Sequence, residues 1–211
     1  MFQPIEETLL LHFSSSPGAT ENGPLISFIT HISSHLLLLL PSFLPPLLPP
    51  LLSVFLPRRY LVTSAPSTLQ TYLCFYIPLL SLNGVLEAYH TATATPRQMT
   101  IQTRWMIGSS FVFVAALFGL RNFLQTETAL ISASCVAMGV RIFYAYLHAK
   151  KSAGMGVRAL LPKSAVTVTS VVCGAVLRRI YKTGRWTKGW STWVELLGFG
   201  GVLGLVTLGV M

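Results

Sequence analysis

The feature that most limits the fold of this chain is a series of long apolar runs separated by short basic clusters. An α-helix rises about 1.5 Å per residue, so crossing the roughly 30 Å hydrocarbon layer of a bilayer takes about 20 mainly apolar residues. Runs of that order recur along the chain. The first, residues 24–57, stops at Arg58 and Arg59; the second reads TLQTYLCFYIPLLSLNGVLEA from Thr68 to Ala88. The third lies between Arg104 and Arg121, and the fourth spans Thr128 to Leu147. A shorter fifth run, Ala165 to Leu177, reaches back to Leu160 only through Pro162 and Lys163, and a sixth starts at Trp193 and is rich in glycine. The pattern predicts an all-α, polytopic transmembrane helix bundle of about six spans. They are expected near residues 24–40, 68–88, 105–120, 128–147, 160–177 and 193–211, after an N-terminal segment over 1–23.

The prolines disturb this picture. Pro41, Pro45, Pro46, Pro49 and Pro50 each remove a backbone donor and crowd the preceding turn. The expectation is a helix to about residue 40 and a broken tract over 41–57, either re-entrant or interfacial, or simple Leu/Pro low complexity. Pro78 predicts a kink inside the second span.

Composition excludes a soluble enzyme. Hydrophobic residues make up 52% and charged residues 10% of the chain, against about 25% charged in an ordinary soluble domain, and the mean hydropathy is +0.63. The 15 Lys and Arg outweigh the 6 acids, all Glu, for a net charge of +9. That excess suits either nucleic acid or anionic lipid, and its position between apolar runs selects membrane lipid. The stretch RRIYKTGRWTKGWSTW reads in the same way, as an interfacial belt of basic and aromatic side chains with no nucleic-acid partner.

No Gly-rich phosphate loop, nucleophile elbow or carboxylate pair is present, and without Asp no triad can be completed, so catalysis and cofactors find no support. Cys74, Cys135 and Cys173 stand singly in apolar runs and read as small buried residues. His31 and His35 share a helix face, but no acid or thiol accompanies them, which favours hydrogen bonding over a metal site.

The informative polar residues lie inside the spans, where a charge costs several kcal/mol unless it faces protein or water. Tyr76, Leu80, Asn83, Glu87 and His90 fall on one face of the second span. Ser134, Arg141 and His148, with Tyr144 beside them, form a stripe on the fourth. Three readings remain open for Glu87 and Arg141: a hydrophilic cavity for a charged or sugar-bearing substrate, exposure to water by helix-end position and snorkelling, or an interhelical ion pair. Orientation is also open, because the loops at 150–163 and 178–188 are both basic and fall on opposite sides of a six-span arrangement.

Three segments, FQPIEE (Phe2, Gln3, Pro4, Ile5, Glu6, Glu7), FYIPLLSLNGVLEAYHTATATPRQM and ALISASCVAMGVRIFYAYL, resemble in order and spacing the C-terminal half of the Rft-type oligosaccharide translocation proteins of the endoplasmic reticulum. The resemblance covers roughly residues 2–150. It implies one lobe of a fold like that of the multidrug, oligosaccharidyl-lipid and polysaccharide exporters. It further implies a multi-pass protein of the endoplasmic-reticulum membrane that moves, or helps to move, dolichol-diphosphate oligosaccharide from the cytosolic to the lumenal leaflet for N-glycosylation. The matching positions are those of FQPIEE, then Pro78, Asn83, Gly84, Glu87, Ala88 and Arg141. None is catalytic by resemblance. Arg141 would pair with phosphate, while Asn83 and Glu87 would hydrogen-bond sugar hydroxyls. Members of that family are more than twice as long, so the expectation is a fragment or truncated reading frame, partnered by the missing N-terminal lobe or by other glycosylation-pathway proteins. The competing readings are a non-transporting scaffold subunit of the pathway, an inactive fragment, or a membrane-embedded transferase or phosphatase using Glu87, His90 and Arg141, which lacks a further acid or nucleophile.

Overall fold

The structure, a computed structural model, describes residues 3–15, 19–182, 198 and 200–202. Every regular element among them is helical: α1 (Gln3–Ser15), α2 (Ala19–Phe55), α3 (Arg58–Leu61), α4 (Ala65–Thr71), a π-helical turn (Tyr72–Tyr76), α5 (Ile77–Thr93), α6 (Pro96–Leu120), α7 (Thr126–Ser152), α8 (Val157–Leu160) and α9 (Ser164–Lys182). Four stretches are long and apolar enough to cross a membrane: Asn22–Pro49, Ala65–Thr93, Pro96–Leu120 and Thr126–Ser152. They coincide with the first four expected spans.

The fifth expected span is revised. Pro162 separates α8 from α9, and the apolar part of α9 before Arg178 reaches only about 20 Å at the helical rise. Four, rather than the five expected within them, is therefore the number of spans among the described residues. The sixth expected span, at 193–211, and most of the basic and aromatic belt lie outside them.

The chain divides into two compact units. The first comprises residues 1–34 and 76–161 and is built on α5 and α7, with α1 lying against α5. Its core joins Phe13, Ile26, Leu86, Tyr89, Ile142 and Met155, and Phe13 meets Tyr89 edge-on at 5.2 Å. Local chemistry sets the helix ends. Thr95 and Gln98 form a reciprocal capping box before Pro96, an N-terminal position where a missing N–H costs nothing. Glu127 in the first turn of α7 and Lys150 and Lys151 in its last oppose the helix dipole. Just beyond α7, Gly154 adopts a φ of +65°, which a side chain would resist. On α6 the residues Ile107, Phe111, Val114 and Phe118 recur at helical spacing and are exposed; within a bilayer this is a lipid-facing stripe.

The second unit comprises residues 35–75 and 162–211, and here the expectation of a broken tract over 41–57 is corrected, because α2 continues as helix to Phe55. Pro45 and Pro46 have no N–H to give the carbonyls of Pro41 and Ser42, four residues back. The Pro41 carbonyl finds a donor on α9, and the Ser42 carbonyl a close neighbour there. The Arg178 guanidinium donates to the Pro41 carbonyl at 3.0 Å. Gly174 lies so close to Ser42 that a Cβ placed on it would stand 2.6 Å from the Ser42 oxygen, an approach that suits a Cα–H to carbonyl contact. At the first step of the proline tract a neighbouring helix thus stands in for the donor that Pro45 lacks. Just ahead of Pro78, where a kink is expected, the helix carries a π-turn over Tyr72–Tyr76, a local widening of the kind that accompanies helix bends.

Candidate functional site: an ion pair between two spans

The polar stripes of α5 and α7 face each other. Arg141 of α7 donates through Nη2 to both carboxylate oxygens of Glu87 on α5, at 2.9 Å to Oε1 and 2.7 Å to Oε2. Asn83, one turn before Glu87, donates its amide Nδ2 to Oε2 at 2.8 Å. Of the three readings open at the sequence level, the interhelical ion pair is the arrangement present. The side chains keep 35% and 26% of their surface exposed, for Arg141 and Glu87 respectively, so the pair is neither sealed in the core nor freely solvated.

The pair leaves hydrogen-bonding capacity unused. Arg141 Nε and Asn83 Oδ1 are both buried without a protein partner, one a donor and the other an acceptor. Both side chains line a cleft between α5, α6 and α7 with Gln102, Trp105, Met106 and Tyr144. As it stands the cleft has room for about a single water. Tyr144 donates to the Gln98 carbonyl at 3.2 Å and stacks on Trp105 at 5.6 Å, which fixes the cleft's aromatic wall.

Two wider grooves flank the pair. On the Glu87 side, a groove of about 280 Å³ is lined by Glu6, Glu7, Leu10, Gly84, Ala88 and Thr91. On the Arg141 side, one of about 260 Å³ is lined by hydroxyl-bearing Tyr76, Ser109, Ser110 and Ser134, with Phe113 and Met138. The first groove explains why FQPIEE and NGVLEA occur together. A Cβ on Gly84 would collide with the Glu6 carboxylate, so the glycine is what lets α1 lay its acid against α5.

Among the other motif positions, Pro4 and Glu7 are exposed on α1, while Pro78 and Ala88 are buried on α5. Gln3 and Ile5 fall within α1, and Phe2 lies outside the described residues. Sequence reasoning missed the α6 wall. Gln102, Trp105 and Ser109 sit at i, i+3 and i+7, a one-face spacing that was readable, but none carries a charge to draw attention to it. Among the described residues no three His, Cys, Asp or Glu side chains converge as a metal site, and the three cysteines are free thiols.

The family model described as Rft-1, Rft protein, matches residues 1–211. The chain belongs to the Rft family. Among the Rft relatives it is similar to are three named Man(5)GlcNAc(2)-PP-dolichol translocation protein RFT1. The Saccharomyces cerevisiae protein is 29% identical over 151 residues, which are 68% of this chain and 26% of the relative. The Kluyveromyces lactis protein is 30% identical over 152 residues, 68% of this chain and 27% of the relative. The Xenopus tropicalis protein is 30% identical over 150 residues, 69% of this chain and 28% of the relative. This Rft-family chain thus matches little more than a quarter of the length of those curated relatives. No solved structure gives a significant match.

Proposed function

We propose that this chain supplies one helical lobe of a translocator for dolichol-diphosphate-linked oligosaccharide in the endoplasmic-reticulum membrane, and that Asn83, Glu87 and Arg141 belong to its polar path. Such a carrier passes a diphosphate and a glycan across the bilayer while the polyprenyl tail stays in lipid. The observation that carries the reading is the unused donor and acceptor beside the ion pair, Arg141 Nε and Asn83 Oδ1. A phosphate oxygen accepts from a guanidinium and a sugar hydroxyl both donates and accepts, so the two atoms suit the head group. Glu87 holds the guanidinium in place and neutralises it between passages, which lowers the cost of keeping it in the membrane. The names of the curated relatives point to the same substrate.

The test is replacement in a full-length relative at the positions matching Arg141 and Glu87. Exchange of Arg141 for Leu should impair lipid-linked oligosaccharide supply with protein abundance unchanged. Reversing the pair, Glu87→Arg with Arg141→Glu, restores an ion pair but moves the cation to α5. Continued loss of glycosylation supports a substrate-facing Arg141. Full recovery would mean that the pair only joins two helices, as a scaffold subunit requires.

A further inference from the structure

One turn beyond Glu87 the same two helices hold a second titratable cluster. His90 of α5 and His148 of α7 have ring centroids 4.4 Å apart in an edge-on arrangement. Their exposures are 0% and 9%. The hydrogen bonds around His148 assign its tautomer. The Thr93 hydroxyl has a single proton and donates it to the Tyr89 carbonyl at 2.8 Å. At 2.9 Å from His148 Nε2 it therefore acts as acceptor, so Nε2 carries the ring hydrogen and Nδ1 keeps a lone pair. Neither nitrogen of His90 has a protein hydrogen-bond partner, although the Gln102 side chain reaches towards the ring. The pair thus offers basic nitrogens, shielded from bulk solvent, beside a carboxylate.

We propose that His90 and His148 together bind one proton, and that this proton competes with Arg141 for Glu87. Two imidazolium rings at this separation repel each other, so the pair takes up one proton rather than two. The ionisable groups around it lie on α1, α5, α6 and α7. On α5 they are Glu87, at i−3 from His90, and Tyr89; on α7 they are Arg141, Tyr144, whose ring is 5.3 Å from His90, Tyr146, and the exposed Lys150 and Lys151 in the turn after His148. Towards this end α6 supplies the neutral Gln102 and Trp105, while its Arg97 and Arg104 are exposed; α1 approaches through Phe13, packed on Tyr89, with His12 exposed, and its Glu6 and Glu7 line the groove beside Glu87. Glu87 is thus the acid for which a charge on His90 and the Arg141 guanidinium compete. Proton uptake loosens the ion pair and frees Arg141 for an anion. By linkage, an anion on Arg141 releases Glu87 and favours proton uptake.

The test is a titration of the full 211-residue chain, labelled with ¹⁵N-histidine, in lipid nanodiscs from pH 4 to 8.5. It needs no glycolipid, so its outcome is independent of the proposed function. His90→Gln and His148→Gln assign the signals; if either lost its far-UV helical signature, Thr93→Val would mark His148 by removing only its hydroxyl partner. The expected result is one step in which both rings shift together, and Glu87→Gln should weaken that proton binding about tenfold. Two separate steps, no step above pH 4, or a step unmoved by Glu87→Gln would overturn the proposal.

Discussion

Arg141 carries a guanidinium on a helix otherwise apolar enough to span a bilayer, and Glu87 is what makes this tolerable. With a quarter to a third of each side chain exposed, the pair is worth less than a sealed one. Glu87→Gln should lower stability by about 1–2 kcal/mol, measured by denaturant unfolding in micelles, and Glu87→Leu by more because it also strands the Asn83 amide. Gly84 makes a different prediction. What a methyl there would strike is the far end of the flexible Glu6 side chain, so Gly84→Ala should cost only about 1 kcal/mol. In a Glu6→Ala background most of that cost should vanish, and a double-mutant cycle reads the coupling. The candidate residues were legible because a charge or amide every third or fourth position stands out in an apolar run. Their pairing was not, since the register between α5 and α7 depends on how two helices pack, which neither segment records alone. Gln102 and Trp105 escaped notice because an uncharged residue in an apolar helix looks the same whether it faces a cleft or lipid.

Among the elements, α2 is where sequence rules and structure part. Counting prolines predicts a break, and for a helix in isolation that count is sound. At Pro45 it fails because the acceptor freed there is met by a residue 137 positions away, information absent from the tract itself. Arg178→Met should therefore destabilise the C-terminal half of α2 by about 1–2 kcal/mol. Pro45→Ala, which restores the N–H owed to Pro41, should remove at least half of that penalty, again measured as a cycle in micelles. Gly174→Ala should be worse than Gly84→Ala, because its methyl meets the Ser42 backbone carbonyl, which cannot swing aside. The ends of α6 and α7 were more accessible to sequence reasoning, since Thr95, Pro96, Gln98 and Gly154 act locally.

At the scale of the molecule, helix class and the first four spans could be read directly from run length, whereas the number of crossings could not, because the run in α9 is intermediate in length. The first unit now permits a topology prediction. The turns at Thr95 and Gly154 lie at one end of α5, α6 and α7, and the turn at Asn122 lies at the other. Near the first two stand Arg97, Lys150, Lys151 and Arg158, and towards the other end Arg121, with Arg58 and Arg59 ahead of the span that contains α5, so the positive-inside bias, four charges to three, predicts that Thr95 and Gly154 face the cytosol. In a background lacking native cysteines, thiols introduced at 95 and 154 should react with an impermeant maleimide from the cytosolic side, and one at 122 only from the opposite side. The Arg178 contact with α2 also has a temporal meaning. At about 5–20 residues per second of translation, Arg178 leaves the ribosome roughly 7–27 s after Pro41. For that interval the Pro41 carbonyl has no cation to receive it, so the nascent tract must be held by water, lipid head groups or an insertion factor. Stalling synthesis before and after residue 178 and comparing protease protection of the tract would expose this waiting period, and the chain would gain its last stretch of α2 only when α9 arrives.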